Sequence, residues 1–330
     1  MFELVYYEFL QLHNVTMSYM KQVIVTILFI STLEITTFSQ TITVEQMEFY
    51  TPLWKGGRFE DGRPKVPDDI LERMKLVTHE EAWALMKNEG YRHQYEEGWL
   101  SIHPDSVLVG RAFTAQFMPG RPDVHQAIDD KGHAEGRIRG QNSWPIDELQ
   151  PGDVYVADQF GAHEDGPTVG DNLANAIYAN SGNGIVYDGA IRDIEGMEEL
   201  ANFTSFVRSY HPSHHNPSHD LNTVLMGINV PIRIGSVMVV PGDVILGKRG
   251  GVSVIPAHLA ERVVKTSEVV RLRDMFGHQR LREKKYTAGQ IDSRWSDDIE
   301  KDFSQWMEAN MDQLPVPPEQ IQELLKERTW

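Results

Sequence analysis

Gly170-Asp171-Asn172-Leu173-Ala174-Asn175-Ala176-Ile177-Tyr178-Ala179-Asn180-Ser181-Gly182-Asn183-Gly184-Ile185-Val186-Tyr187-Asp188-Gly189-Ala190-Ile191-Arg192-Asp193 reads as one helix and one strand joined by a glycine stop. Asp171 or Asn172 is placed to cap the helix, and Gly182 stands where a left-handed C-terminal stop is wanted. Ile185-Val186-Tyr187 predicts a short buried strand, and Gly189 predicts the turn into Arg192-Asp193. A helix of roughly ten residues is about 15 Å long, and a strand of roughly five is about 16 Å. The strand therefore ends close to where the helix began. A helix N-terminus with free amides then faces an arginine and an aspartate, a suitable arrangement for a small carboxylate and a metal ion. Taken alone, Arg192-Asp193 also reads as a strand-end ion pair; the matching distance of the glycine-led helix is what favours a site.

The rest of the chain gives this unit a setting. With 330 residues, 41% hydrophobic and 24% charged, the composition is that of a globular protein with room for a large core. The formal charge of −17 argues against nucleic acid or anionic lipid as partners. It leaves room for an anionic substrate where one arginine and a cation reverse the local field. The chain has no cysteine, which removes disulfides, thiolate metal sites and cysteine nucleophiles.

Residues 1–39 predict an export signal, with 1–19 as a stretch ahead of an alternative start at Met20. Lys21 is followed by the apolar run from Val23 to Leu33, and small residues precede cleavage after Ser39. The run is short for a membrane span, and Glu34 follows it, so a periplasmic or secreted protein without an anchor is expected. Residues 40–100 predict a helical segment, in which Thr78-His79-Glu80-Glu81 is a capping box; Glu80 and Glu81 suit a first helical turn better than a catalytic role. Residues 101–273 predict the core domain and 274–330 a charged, tryptophan-bearing helical extension.

Within the core, Pro151-Gly152-Asp153 and Pro241-Gly242-Asp243 are repeated turns, each before an apolar strand. Residues 119–145 predict loop, with Asp129-Asp130 as a solvated turn. His211, His214, His215 and His219 with Asp220 form a histidine-rich segment; its two prolines and irregular spacing favour a loop, one able to lend a histidine to the cleft, over a transition-metal site.

The ordered set Pro151-Gly152-Asp153-Val154-Tyr155-Val156-Ala157-Asp158, Gly170-Asp171-Asn172-Leu173-Ala174, Asp188-Gly189-Ala190-Ile191-Arg192-Asp193, Pro241-Gly242-Asp243-Val244 and Gly251-Val252-Ser253-Val254-Ile255-Pro256 resembles the RraA-like family. That family holds metal-dependent 4-hydroxy-4-methyl-2-oxoglutarate aldolases and regulators of ribonuclease E. The resemblance runs from about Val107 to Val264. It implies an α/β fold, a layered α/β/β/α sandwich, here with N- and C-terminal helical extensions, assembled as a homotrimer or hexamer with sites between subunits. It implies that Asp193 holds Mg²⁺ or Mn²⁺, that Arg192 binds the oxo-acid end of a small 2-oxo acid, and that the amides of Gly170, Asp171, Asn172 and Leu173 cradle its carboxylate. The implied reaction is retro-aldol cleavage or decarboxylation through a pyruvate enolate; the alternative is a non-catalytic regulatory or binding protein.

The chain departs from the family pattern at Gly247-Lys248-Arg249-Gly250, where an acidic turn is usual, and at Gly196, where an acid is often found. The segment 119–145 and the histidine-rich loop are additions. These departures predict an altered distal substrate pocket around an intact core site.

Overall fold

The computed structural model describes residues 40–213 and 222–326, which lie within one compact unit, Gln40–Trp330. The expected export signal and the segment His214–Asp220 lie outside the described residues. In chain order the elements are α1 (Val44–Tyr50), α2 (Asp68–Met74), α3 (His79–Asn88), β1 (Tyr95–Glu97), β2 (Leu108–Pro119), α4 (Pro122–Ala134) and α5 (Trp144–Asp147). They continue with β3 (Asp153–Asp158), α6 (Asp171–Ser181), β4 (Ile185–Ile191), α7 (Ile194–Glu198), β5 (Ser205–Tyr210), β6 (Thr223–Ile228), β7 (Ile232–Ile234) and β8 (Val237–Val239). Last come β9 (Val244–Lys248), β10 (Gly251–Ile255), α8 (Ala260–Arg282), α9 (Ala288–Ile291), α10 (Asp297–Asn310) and α11 (Pro318–Leu324).

The main sheet runs β1-β10-β9-β2-β3-β4-β5, with β6 paired to β2 and β7–β8 forming a separate two-stranded sheet. Strands β2, β3, β4 and β5 are parallel, while β9 joins β2 antiparallel. The parallel strands read as continuous apolar runs because both of their faces are covered. On one face Phe113, Ala115, Tyr155, Ile185 and Tyr187 pack against Ala174 and Ile177 of α6. On the other, Ala112, Val154, Val156, Val186 and Phe206 meet Ile232, Ile234, Val237 and Val239 of β7 and β8. The mixed α/β architecture with flanking helices is thus the expected one.

A third cluster joins α2 and α3 to Val109, Val244, Leu246 and the first turns of α8. The later half of α8 carries Leu272 and Phe276 into a fourth cluster with Trp295, Phe303 and Trp306. α8 runs unbroken through Arg273-Asp274, so one helix belongs to both the core and the C-terminal extension. β1, from the N-terminal segment, supplies an edge strand of the main sheet.

The repeated turns are built alike. Gly152 and Gly242 take φ of +83° and +89°, which glycine alone adopts at no steric cost. Asp153 Oδ2 accepts the amide of Gln150 at 2.9 Å, and Asp243 Oδ2 accepts that of Val240 at 2.9 Å. The capping box at Thr78 is present, with Glu81 bonding back to the Thr78 amide at 2.7 Å.

Several local readings are corrected. The segment expected as loop contains the 13-residue α4, entered through Pro122 at a position where a missing amide proton costs nothing. Its pattern is hard to read because a buried histidine, His125, occupies the inward face; Asp129 lies 3.3 Å from that ring and accepts Gln141 at 2.9 Å, so it is not in a solvated turn. Gly189 does not turn the chain: β4 continues to Ile191, with a register irregularity between Tyr187 and Ala190. The reversal falls on Asp193, a non-glycine residue at φ 58° and ψ 46°, a region aspartate tolerates better than most. The cap of α6 is Gly170, and Asp171 is its first helical residue.

Candidate active site

The parallel strand β4 delivers Arg192 and Asp193 at its C-terminal end, where ligands bind in open α/β sheets. Helix α6 runs back along the sheet, so its N-terminus returns to the same end. The juxtaposition inferred from element lengths is close. A β-carbon on Gly170 would collide with Asp193 Oδ2 and lie 3.1 Å from Arg192 Cζ and 3.2 Å from Arg192 Nη2. The Arg192 amide donates to Val169 O at 3.2 Å, which ties the strand end to the residue before the cap. Only glycine at position 170 lets both side chains lie across the helix entrance.

Arg192 and Asp193 form an ion pair, Nη1 to Oδ2, with side chains 32% and 37% exposed. Arg192 Nε is buried and meets no acceptor among the described residues. Buried donors are normally paired, so this guanidinium presents a donor that a planar anion would satisfy. The first-turn amides of α6 have no acceptor within the helix. Asp171 changes that cradle. Its Oδ1 accepts the Asn172 amide at 2.7 Å, so an incoming carboxylate competes with this side chain for one of the expected donors. The Asp171 carboxylate also lies over Gly196, where an added β-carbon would stand 2.8 Å from its Oδ2. The glycine that replaces the usual acid therefore leaves room for another acid. Among the described residues no group of three or more His, Asp or Glu is placed to hold a metal ion.

The rim holds a histidine pair. His211 follows β5, its amide donates to Ile191 O at 3.0 Å, and its ring lies edge-on to that of His163, 4.6 Å between centroids. The Ser213 amide donates to His211 Nδ1 at 3.2 Å, and the same nitrogen lies 2.8 Å from Ser213 Oγ. His163 Nδ1 pairs with Ser209 Oγ at 2.6 Å. The histidine-rich segment was expected to lend a residue to the cleft. Its first member reaches the end of β4, but its partner His163, in the polar loop after β3, had no distinguishing sequence signal.

The other departure lies elsewhere in the subunit. Lys248 Nζ donates to Val77 O at 2.7 Å, and Arg249 pairs with Asp105, both in the β9–β10 hairpin. A cavity of about 1030 Å³ is also remote, lined by Lys265, Arg273, His278, Trp295 and Leu324 of the C-terminal helices. Among the described residues no helix is long and apolar enough to cross a membrane.

Comparisons with known proteins bear on the family and the fold. The RraA-like family model, Aldolase/RraA, matches residues 68–254. A protein of Halalkalibacterium halodurans named "Putative 4-hydroxy-4-methyl-2-oxoglutarate aldolase" is 36% identical over 121 residues, covering 37% of this chain and 54% of that one. Protein DlpA of Legionella pneumophila is 30% identical over 183 residues, covering 54% of this chain and 27% of DlpA. The chain thus spans about half the length of the first relative and about a quarter of the second. The crystal structure of Streptomyces coelicolor RraAS2, described as an unusual member of the RNase ES inhibitor RraA protein family, superposes with a TM-score of 0.53. It is 26% identical and covers 66% of this chain and all of that one (100%). An uncharacterized protein of Pseudomonas syringae pv. tomato shares the fold, with a TM-score of 0.54 at 23% identity, covering 69% of this chain and 98% of that one. By its ordered motifs, its fold and a family match over more than half its length, the chain belongs to the RraA-like family.

Proposed function

We propose that the protein is a divalent-metal-dependent lyase that cleaves a small 2-oxo acid, by retro-aldol cleavage or decarboxylation, through a pyruvate enolate. The observation that carries this reading is the Arg192-Asp193 pair lying across the Gly170 entrance of α6, with Arg192 Nε lacking an acceptor. An anion-binding fork, a helix N-terminus and a carboxylate meet there within one side chain's reach.

In the retro-aldol case the bond between C3 and C4 breaks and its electron pair passes to the C2 keto oxygen. The 4-hydroxyl gives its proton to a water molecule in the open cleft and becomes a carbonyl, and C3 of the enolate later takes up a proton from water. Arg192 is placed to hold the keto oxygen and the adjoining carboxylate, so its charge acts where the negative charge grows. The amides of Asp171 and Leu173 hold the far side of that carboxylate. In a decarboxylation the same groups serve, with carbon dioxide as the departing fragment.

A metal ion fits the donor set in a limited way. One exposed carboxylate suits a hard ion that keeps most of its water, such as Mg²⁺ or Mn²⁺, and does not suit a closed transition-metal site. Asp193 would hold that ion, and when bound the ion would supply positive charge beside the keto oxygen.

The test is pyruvate release from a panel of 4-hydroxy-2-oxo acids and oxaloacetate, with and without Mg²⁺. Wild type is expected to release pyruvate only with the metal, and Asp193→Ala to release none. Equal release by the two proteins overturns the reading. The likeness to RraAS2 favours a second reading, a non-catalytic binding protein; capture of a specific partner protein without turnover of any panel member would support it.

The same proposal places the protein outside the cytoplasm, periplasmic or secreted, as a homotrimer or hexamer. A mature N-terminus at Gln40 and a trimeric or hexameric mass in solution support these parts; an intact Met1 or Met20, or a monomer, counts against them.

A further inference from the structure

Resting on the lyase reading, we propose that Tyr187 is a positioning residue: its buried hydroxyl sets the entrance of α6 against Arg192 and so fixes affinity for the substrate carboxylate. Tyr187 lies on β4 and is fully buried. Its hydroxyl is the hub of a fully buried network. It donates to Gln159 Oε1 at 2.8 Å, accepts the Thr168 amide at 3.3 Å, and bonds Thr168 Oγ1.

The proton count fixes the directions. Gln159 Nε2 donates to Gly166 O at 3.3 Å, so Oε1 is the acceptor end of that amide. Tyr187 gives its single proton to Gln159 and accepts the Thr168 amide, while the Thr168 hydroxyl bonds Tyr187 and also lies 3.5 Å from Gln159 Oε1. Burial pushes the phenol far up from its ordinary value, so it keeps that proton throughout the working pH range.

The network reaches the site in two residues. Thr168 O accepts Asn142 Nδ2 at 3.1 Å, Val169 O accepts the Arg192 amide at 3.2 Å, and Gly170 lies under the Arg192-Asp193 pair. Thr168, Val169 and Gly170 are thereby held from the sheet interior on one side and from the strand end on the other.

The same network explains the β4 irregularity. Gln159 crosses over Gly189 to reach Tyr187: a β-carbon at 189 would stand 2.8 Å from Gln159 Cβ and 3.0 Å from Tyr187 Cε1. The loop that carries Gln159 pairs with this part of β4, Gly161 amide to Asp188 O at 2.8 Å and Ala190 amide to Ala162 O at 2.9 Å. Gly189 is thus required for the crossing and not for a turn.

The fold contains its own control. Tyr155 is equally buried on the neighbouring strand, on the same face, and its hydroxyl meets no partner among the described residues. Tyr187→Phe and Tyr155→Phe each remove one buried oxygen, but only the first cuts a link to α6. We expect Tyr187→Phe to raise KM for a pyruvyl substrate, and the Kd for the enolate mimic oxalate with Mg²⁺, by about tenfold while kcat changes little. Gly189→Ala should give the same split, and Tyr155→Phe should leave both parameters unchanged. Amide exchange at Thr168 through Leu173 should quicken in Tyr187→Phe and not in Tyr155→Phe.

Equal KM and Kd in the two phenylalanine variants, or a loss confined to kcat, overturns the proposal. If wild type neither binds oxalate with Mg²⁺ nor releases pyruvate, the lyase reading falls, and the exchange measurement still decides the positioning role. Unchanged exchange at Thr168 to Leu173 in Tyr187→Phe would then reject it.

Discussion

Gly170 and Asp193 are in contact: a β-carbon on residue 170 would overlap Asp193 Oδ2, although the two residues belong to different elements. The contact makes a specific demand on position 170. Its φ of −119° and ψ of −171° are extended backbone that alanine adopts freely, so Gly170→Ala introduces a collision without backbone strain. The variant is expected to fold and to lose about 100-fold in metal-dependent pyruvate release through displacement of Arg192 and Asp193. Gly182→Ala makes the contrast: at φ +70° with nothing within 4 Å of its β-carbon, it should lower stability by about 1 kcal/mol and leave turnover intact. Turnover and thermal unfolding of both variants check this.

Asp243 gives the protein a pH signature. Its carboxyl is buried and accepts the Val240 amide, and with no cation bonded to it among the described residues burial pushes its pKa up to about 7. Asp153, in the matching turn, has its other oxygen paired to Arg63. Between the ordinary carboxylate value and pH 7 the folded state holds a proton that the unfolded state has released. The contribution is therefore complete below the unfolded value and is lost as pH rises through 7, at up to about 1.4 kcal/mol per pH unit. Asp243→Asn should flatten urea stability between pH 5 and 7; an unchanged slope would falsify the assignment to Asp243.

Arg63 and Asp153 form an ion pair whose side chains are both 0% exposed, 2.8 Å apart, with Arg63 also bonded to Asp61 and stacked on Phe59 and Phe113. It fastens the irregular entry segment to the sheet. Asp153→Asn leaves Arg63 with one partner and should cost about 3–5 kcal/mol. The double variant with Arg63→Met should lose less than the two single losses together. Urea unfolding of the three variants measures this coupling, and strict additivity would show the pair to be uncoupled.

The C-terminal helices are an aromatic unit. Phe303 stacks on Trp306 and meets Trp295 and Phe276 at 5.3 Å each, all around α8. Phe303→Ala should cost about 3–5 kcal/mol within this unit. Faster proteolysis of residues 283–326 with normal pyruvate release is the expected outcome. A parallel loss of turnover would instead make the extension part of the active unit.

Much of this molecule can be read along the chain. The helix Asp171–Ser181, its left-handed stop at Gly182, the capping box at Thr78 and the twin turns ending in Asp153 and Asp243 are local signals, each set by a few adjacent residues with distinct backbone or capping chemistry. Element lengths alone brought the head of α6 to Arg192-Asp193, because rise per residue is a fixed property of helix and strand. What the sequence could not decide is whatever depends on partners far apart in it. α4 was hidden because its buried face uses His125 in place of an apolar residue, and only the contact with Asp129 and Gln141 shows that face to be inside. Gly189 looked like a turn because glycine permits both a turn and a close crossing, and the choice was made by Gln159 passing over it. Asp171 taking the Asn172 amide, His163 meeting His211, and Tyr187 reaching Thr168 are likewise fixed by packing. Thus the sequence by itself determined the family and the helix and strand that bring Gly170 to Arg192-Asp193; the tertiary structure decided which neighbours those residues share, because side-chain hydrogen bonds depend on distances between segments that no local spacing encodes.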